Sequence, residues 1–326
     1  MAGSHPRERT SLIVTVLDEA GTIEDLLASV AAQTQQADEL VIVDGGSRDG
    51  TWQLLETWTA RLPLHLIQAP GAGIARGRNL AIEAASSKVI AVTDAGVRLD
   101  PNWLERLHAA LADDVDVVSG FFRAETSTAF ERAMGATVLP ALADVKPDRF
   151  LPSSRSVLFR RGVWASVGGY PEWLDYGEDL VFDLALKRHG YRFAFAPDAC
   201  VGFRPRGSLP AFFRQYYRYA RGDGKADLFG QRHAIRYATY GAAAILLRRR
   251  GLGLALIALG ALAYTSRPYA RLRPLLEGLS PGEVTYALGL VPVIRLVGDM
   301  AKMLGYPVGR WWRLRHKGPW ISRSSS

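Results

Sequence analysis

The chain has a single cysteine, Cys200, in 326 residues. No disulfide can form within it and no cysteine-rich zinc site can be built, so an apolar core must hold the fold. Cys200 reads as a packed core thiol, and the scarcity of cysteine fits a reducing compartment. Six scattered histidines include no pair at the spacing that lets one helix face share a metal ion. The first ten residues are polar and charged, without the apolar run of a secretory signal, and residues 322–326 form a polar tail. The glycine-rich phosphate loop ending in Gly-Lys-Ser/Thr is missing, and no internal repeat is evident. No uninterrupted apolar run exceeds about 14 residues, short of the roughly 20 that a membrane-spanning helix requires.

What is present points to a folded chain with anionic partners. Apolar residues make up 48% of the chain, enough to bury a sizeable core. The charged fraction, 22%, is that of ordinary globular proteins. A net charge of +8 favours phosphates, nucleotides or acidic lipid heads. Nucleic acid is not expected, because no nucleic-acid-binding module pattern accompanies that charge.

Short β-branched runs predict buried strands at residues 11–17, 39–43, 64–68, 89–93 and 115–120. Helical spacing of apolar residues fills the gaps at 22–33, 51–60, 78–85 and 102–111. This alternation predicts an α/β fold, a Rossmann-like, mostly parallel sheet with helices on both faces. Ligands of such sheets bind at the carboxyl ends of the strands. Asp44, the glycine-rich loop 71–78 and Asp94 all fall on that edge. After about Gly120 the pattern loosens, with a strand expected at 156–160, a helix at 180–189 opened by Glu178 and Asp179, and a last strand at 193–196. From about Arg232 the composition turns to Ala, Leu, Gly and Arg. The expected organisation is a flexible stretch 1–10, an α/β domain 11–231, a helical region 232–321 and a tail 322–326.

Several residues could carry chemistry. Asp44 precedes a glycine turn; it either stabilises that turn or accepts a hydrogen bond from a base or ribose. Arg76, Arg78 and Asn79 adjoin Gly71, Gly73 and Gly77, where the backbone can approach a phosphate closely and arginine can pair with it. Asp94 ends a buried strand, where one carboxylate can help hold a divalent ion bridged by substrate phosphates. Glu178-Asp179 either caps a helix or supplies a general base. Gln215, Arg218 and Tyr219 lie in a basic aromatic run that also reads as a packed amphipathic helix.

In their order and spacing these pieces resemble glycosyltransferase family 2, inverting enzymes of GT-A fold, over residues 10 to 230. Val14-Thr15-Val16-Leu17-Asp18-Glu19-Ala20 resembles the family's first strand and turn. Val43-Asp44-Gly45-Gly46-Ser47-Arg48-Asp49-Gly50-Thr51 resembles its "VDDGSTDGT" turn. The resemblance implies that Asp18, Glu19 and Asp44 lie along the donor site, with Asp44 at the nucleotide base. Ala75-Arg76-Gly77-Arg78-Asn79 resembles the "A-R-N" helix start, which implies Arg78 as a phosphate or base neighbour. Gly168-Gly169-Tyr170 resembles the turn before the acceptor region. Gly177-Glu178-Asp179 matches the "E-D" motif, which implies catalytic roles for this pair, with Asp179 as base. Gln215-x-x-Arg218-Tyr219 is similar to the "Q-x-x-R-W" motif, with Tyr for Trp. The metal motif Asp-x-Asp is represented by Asp94-Ala95-Gly96 alone. Either Asp94 holds Mn²⁺ or Mg²⁺ with substrate phosphates and water, or another residue substitutes, or metal dependence is weak.

The resemblance implies transfer from a nucleotide diphosphate-sugar to a hydroxyl, and the basic, apolar C-terminus suggests a lipid-linked or cell-surface glycan acceptor of the cell envelope. A nucleotidyltransferase and a catalytically impaired nucleotide-sugar-binding or membrane scaffold are the alternatives. The interrupted apolar runs at 237–247, 251–264 and 284–297, with Trp311, Trp312 and Trp320, suggest helices on or shallowly within the cytoplasmic face of a membrane. A soluble helical appendage or a dimer interface is the other reading.

Overall fold

The computed structural model describes residues 8–249 and 251–316. His5, Arg250, Trp320 and the tail 322–326, which entered the sequence reading, lie outside the described residues. The chain divides into two compact units, Met1–Arg123 with Leu142–Phe203, and Ala124–Ala141 with Arg204–Ser326. The division therefore falls nearer 204 than the expected 231, and it assigns a short segment after Arg123 to the second unit.

The first unit is built on β1 (Thr10–Val16), β2 (Glu39–Asp44), β3 (Leu64–Gln68) and β4 (Val89–Val92), joined by α1 (Ile23–Ala31), α2 (Thr51–Trp58) and α3 (Ile74–Ala84). It continues through β5 (Val97–Leu99), α4 (Trp103–Ala109), β6 (Val117–Ala124), β7 (Val157–Arg160), α6 (Arg161–Ser166), α7 (Glu178–Arg188) and β8 (Phe193–Phe203). The sheet runs β3-β2-β1-β4-β7-β6-β8-β5. From β3 to β4 it is parallel, with Val14 opposite Ile42 and Ile13 opposite Val92. Here the βαβ crossovers leave both faces to be covered. Leu12, Val14 and Ile42 enter one apolar cluster, and Ile13, Val41 and Val43 enter another.

Beyond β4 the sheet turns antiparallel, with β4 against β7, β7 against β6 and β5 against β8. The expected mostly parallel sheet is thus a mixed one of eight strands. Strand β5 escapes periodicity because it has only three residues. Strand β8 extends to Phe203, through the polar residues Asp198 and Cys200, well past the expected end. Cys200 is half-buried rather than fully packed. Gly77 is required where α3 crosses the sheet: a Cβ there would stand 2.8 Å from Thr15 Cγ2.

The second unit is helical. Its elements are α5 (Ala129–Val138), α8 (Leu209–Ala226), α9 (Gly230–Leu246), α10 (Leu252–Leu272) and α11 (Pro281–Arg315). Its core joins Ala133 and Met134, Phe212, Leu272, and Leu290, Val291 and Ile294. Helices α8 and α11 approach backbone to backbone. A Cβ at Gly224 would meet Tyr306 O, one at Gly305 would meet Tyr217 O, and one at Gly309 would meet Arg221 O. Capping boxes, Thr128 with Glu131 and Ser280 with Glu283, start α5 and α11. The apolar runs 237–247, 251–264 and 284–297 fall on three separate helices, α9, α10 and α11, each longer than its run. α11 continues through Pro292 and Pro307, and α10 through Pro268. Among the described residues α11 alone is long and apolar enough to cross a membrane by length and composition.

Candidate active site

Three segments of the first unit converge on one arginine. Arg78 lies in the second turn of α3 and is 2% exposed. Its Nη1 donates to Glu178 Oε1 at 2.6 Å and its Nη2 to Asp94 Oδ1 at 2.8 Å. Its guanidinium also lies 5.4 Å from the centre of the Tyr170 ring. Burial alone would lower the Arg78 pKa, but Asp94 and Glu178 outweigh it and hold the guanidinium charged. The segment after β4 supplies Asp94, the start of α7 supplies Glu178, and α3 ties them together.

The arginine owes its position to its neighbour. Asn79 Nδ2 donates to Tyr170 O (2.9 Å) and Glu172 Oε1 (3.0 Å), while its Oδ1 accepts from Tyr170 N (2.9 Å) and Trp164 Nε1 (3.0 Å). This locks the Gly168-Gly169-Tyr170 turn, where both glycines have positive φ and a Cβ at Gly169 would stand 2.7 Å from Asn79 Oδ1. Tyr170 then stacks on Phe182 of α7, with ring centres 4.3 Å apart. The glycine-aromatic turn therefore fastens α3 to α7.

Gly177, with φ of 80°, turns the chain into α7 and sets Glu178 and Asp179 in its first turn, where the helix dipole favours negative charge. The two differ in setting. Glu178 is buried, and burial pushes its pKa up to about 7 despite the opposing pull of Arg78. Asp179 is half-buried, and its Oδ1 accepts from the Leu180 N–H at 2.8 Å. One turn on, Asp183 is buried with Oδ2 unpartnered, and burial together with Asp179 pushes its carboxyl well up.

Asp94 also meets a second cation, Arg155 Nε, 3.4 Å from its Oδ2. Arg155 lies over the Phe203 ring at 4.3 Å. Arg155 was not singled out in the sequence; it falls in a loosely patterned stretch before β7, and its one signal is the adjacent strand. On the other side, Asp18 has φ of 55° and its Oδ1 accepts from Arg48 N at 2.8 Å, while Glu19 Oε2 accepts from Thr22 Oγ1 at 2.6 Å. Asp44 is buried, and its Oδ1 accepts from Gly46 N, Ser47 N and Ser47 Oγ, a closed Asx turn. The turn-stabilising reading of Asp44 is thus realised in the structure.

The structure brings Arg78, Asp94, Glu178 and Asp179 together. Both Arg78 Nη atoms are engaged by carboxylates in a buried position, while its Nε has no hydrogen-bond partner. Arg78 is thus the knot that ties these carboxylates together. Gln215 and Arg218 lie on α8 in the second unit, where Gln215 Nε2 donates to Tyr219 Oη at 2.9 Å. Among the described residues no three His, Cys, Asp or Glu side chains converge as a metal site. A Cβ at Gly96 would have Glu19 Oε2 as its nearest neighbour, at 3.9 Å.

Comparison with known proteins settles the family. The sequence model of Glycosyl transferase family group 2 matches residues 89–294, and that of Glycosyl transferase family 2 matches residues 11–159. The chain belongs to glycosyltransferase family 2. Its sheet is the mixed α/β one described above.

Its relatives are distant. It is 30% identical over 111 residues to the uncharacterized glycosyltransferase YibD of Escherichia coli, covering 33% of this chain and 32% of that one. It is 24% identical over 196 residues to the O-antigen chain rhamnosyltransferase WbaN of Salmonella anatum, covering 56% and 62%. It is 22% identical over 268 residues to a dolichol-phosphate mannosyltransferase of Pyrococcus furiosus, covering 76% and 72%. The chain thus spans only part of the first two relatives, about a third of one and 62% of the other. In fold it is similar to the mannosyltransferase PcManGT of Pyrobaculum calidifontis, solved with GDP-Man and Mn²⁺, at a TM-score of 0.56 and 20% identity over 94% of this chain and 88% of that one.

Proposed function

We propose that this glycosyltransferase moves a sugar from a nucleotide diphosphate-sugar to a hydroxyl of a lipid-linked or cell-surface glycan, with inversion at the anomeric carbon, and that Asp179 is its base. The observation that carries this reading is the contrast between two adjacent carboxylates. Glu178 is buried and tied to Arg78, whereas Asp179 is half-exposed on the same helix turn. The acceptor hydroxyl gives its proton to Asp179 as its oxygen bonds to the anomeric carbon. The bond to the diphosphate oxygen breaks in the same step, and that oxygen keeps the electron pair. Glu178 acts as a positioning residue. Arg155, with 18% of its side chain exposed against 3% for Arg78, is the guanidinium better placed to meet the leaving diphosphate.

A divalent cation belongs to this reading, supported by the Mn²⁺ in the mannosyltransferase of similar fold. Asp94, with Glu19 beside the Gly96 position, would hold it, and donor phosphates and water would complete its shell. When bound, such an ion offsets charge on the leaving diphosphate. The acceptor class draws support from relatives named for O-antigen and dolichol-phosphate chemistry. The exposed apolar residues of α10 and α11 support association with a membrane surface, in this reading its cytoplasmic face.

The test is single-turnover transfer by purified protein with a panel of nucleotide sugars, with and without chelator. Asp179→Asn is expected to lose about 10²–10⁴-fold in rate while donor still raises the thermal midpoint. Near-normal transfer by that variant would remove Asp179 from its role. Full activity in excess chelator would remove the cation.

A further inference from the structure

Outside the first unit, the second unit lines a half-open polar cavity of about 70 Å³ between α5, α8, α10 and α11. That is several times the roughly 10–15 Å³ a single water requires. Its wall includes Tyr216, Tyr264, Arg295, Asp299 and Lys302. Arg295, Asp299 and Lys302 follow one another at helical spacing on α11, so they share a face.

The charges in this cavity do not balance. Asp299 is 3% exposed and already satisfied. Its Oδ1 accepts from Arg236 Nε at 2.8 Å, and its Oδ2 accepts from Tyr240 Oη at 3.0 Å and Tyr264 Oη at 2.7 Å. Asp299 is thus bound directly by Arg236, and the cavity wall carries two further cations, Arg295 and Lys302, against this one carboxylate. Arg295 lies over the Tyr264 ring at 4.6 Å, and its Nε is buried with no hydrogen-bond partner. Lys302 Nζ lies over the Tyr216 ring at 4.8 Å. Burial, with Arg236 and Arg295 adding to it and Asp299 and Asp223 opposing it, pushes the Lys302 ammonium down to about 8.

The surroundings indicate what the counter-ion is attached to. Leu259 and Leu262 on α10 and Leu296, Met300 and Leu304 on α11 are exposed, and Tyr264 is 45% exposed. The sequence of this unit holds 22 Lys and Arg against 7 Asp and Glu. A cationic cavity framed by exposed apolar helices on a strongly basic unit suits an anion carried by a lipid.

We propose that this cavity binds the phosphate group of an anionic membrane lipid through Arg295 and Lys302. The inference rests on the membrane-surface reading above and adds to it a defined headgroup site. It involves no residue of the catalytic network.

The experiment is co-sedimentation of the full chain with phosphatidylcholine vesicles, with and without phosphatidylglycerol, at low and high salt. The Arg295→Gln/Lys302→Gln variant is compared with Arg248→Gln/Arg249→Gln, which removes two exposed cations of the same unit. Surface cations are worth about fivefold each at low salt, an effect that salt screens. The cavity variant is expected to lose more than the exposed pair, and to keep that deficit at high salt. Lys302→Arg is expected to bind as the parent does, and single Lys302→Gln serves if the double variant unfolds. Equal losses for the two pairs at every salt would overturn the cavity site while leaving membrane association standing. Failure of the parent protein to bind any vesicle would overturn both. A midpoint rise with inorganic phosphate, lost in the cavity variant and without vesicle selectivity, would assign the site to a soluble phosphate and overturn the lipid.

Discussion

The two units handle charge in opposite ways. The sequence of the first holds 25 Asp and Glu against 18 Lys and Arg; that of the second holds 7 against 22. In the first, the buried arginine is matched: Arg78 spans Glu178 and Asp94, and Asp94 in turn meets Arg155. In the second, acidic partners run short and aromatic faces take their place. Lys225 lies over Trp312, Arg232 over Phe229, Arg295 over Tyr264 and Arg315 over Trp311, each within 5 Å of the ring centre. A ring stabilises a cation without neutralising it. The first unit therefore holds Arg78 in a closed network of carboxylates, whereas the second carries an excess of positive charge.

The strongest way to break this contrast is to remove the knot of the first unit. Arg78→Met would leave Glu178 buried without its cation and Asp94 with Arg155 alone. Breaking a buried pair from one side costs about 3–5 kcal/mol, so a large drop in denaturation midpoint is expected, along with loss of transfer. Adding Glu178→Gln to Arg78→Met should recover part of the stability, because the stranded charge is gone, without recovering activity. If Arg78→Met alone is as stable as the parent by urea denaturation, the closed network is not what holds α3 and α7 together.

The parallel half of the sheet was readable in the sequence because its physics is local. Runs such as Leu12 to Val16 and Leu40 to Val43 are buried on both faces and carry the β-branched signature of interior strands. Asp94, Glu178 and Asp179 were readable because strand ends and helix starts are marked by turn residues. Arg155 and Asp183 were not. Arg155 matters only because the antiparallel β4–β7 pairing brings it beside Asp94, a contact 61 residues apart in sequence. Asp183 looks like any polar helical residue until the fold buries it beside Asp179. Sequence locates Arg78 without showing that its guanidinium touches Asp94 and Glu178. In the second unit the apolar runs were visible, but Pro292 and Arg295 read as breaks in what is one helix.

A smaller effect should come from the helix seam of the second unit. Gly309 lets α11 lie against α8, and a Cβ there would stand 2.8 Å from Lys225 N. Overpacking of this kind costs typically about 1–3 kcal/mol. Gly309→Ala is therefore expected to lower the stability of the second unit, read as faster amide exchange in α8 and α11, while amides of β1 and β2 keep their protection. Equal loosening of both units would show that they do not unfold separately, and the contrast between them would then hold for charge but not for stability.

The smallest effect is one of sign, and it bears on the charge contrast directly. Glu178 is raised from 4.5 to about 7 in the folded state. Between those values the folded protein holds a proton that the unfolded chain has released, so stability falls as pH rises from about 4.5 to about 7. Lys302 is lowered from 10.5 to about 8. Between those values the unfolded chain holds the proton and the folded protein does not, so its contribution makes stability rise as pH climbs from about 8 to about 10.5. Urea midpoints across both windows should show the first slope flattened by Glu178→Gln and the second by Lys302→Gln, each variant leaving the other window unchanged. If Lys302→Gln leaves the alkaline slope intact, Lys302 has its counter-ion within the protein, and the second unit is as closed electrostatically as the first.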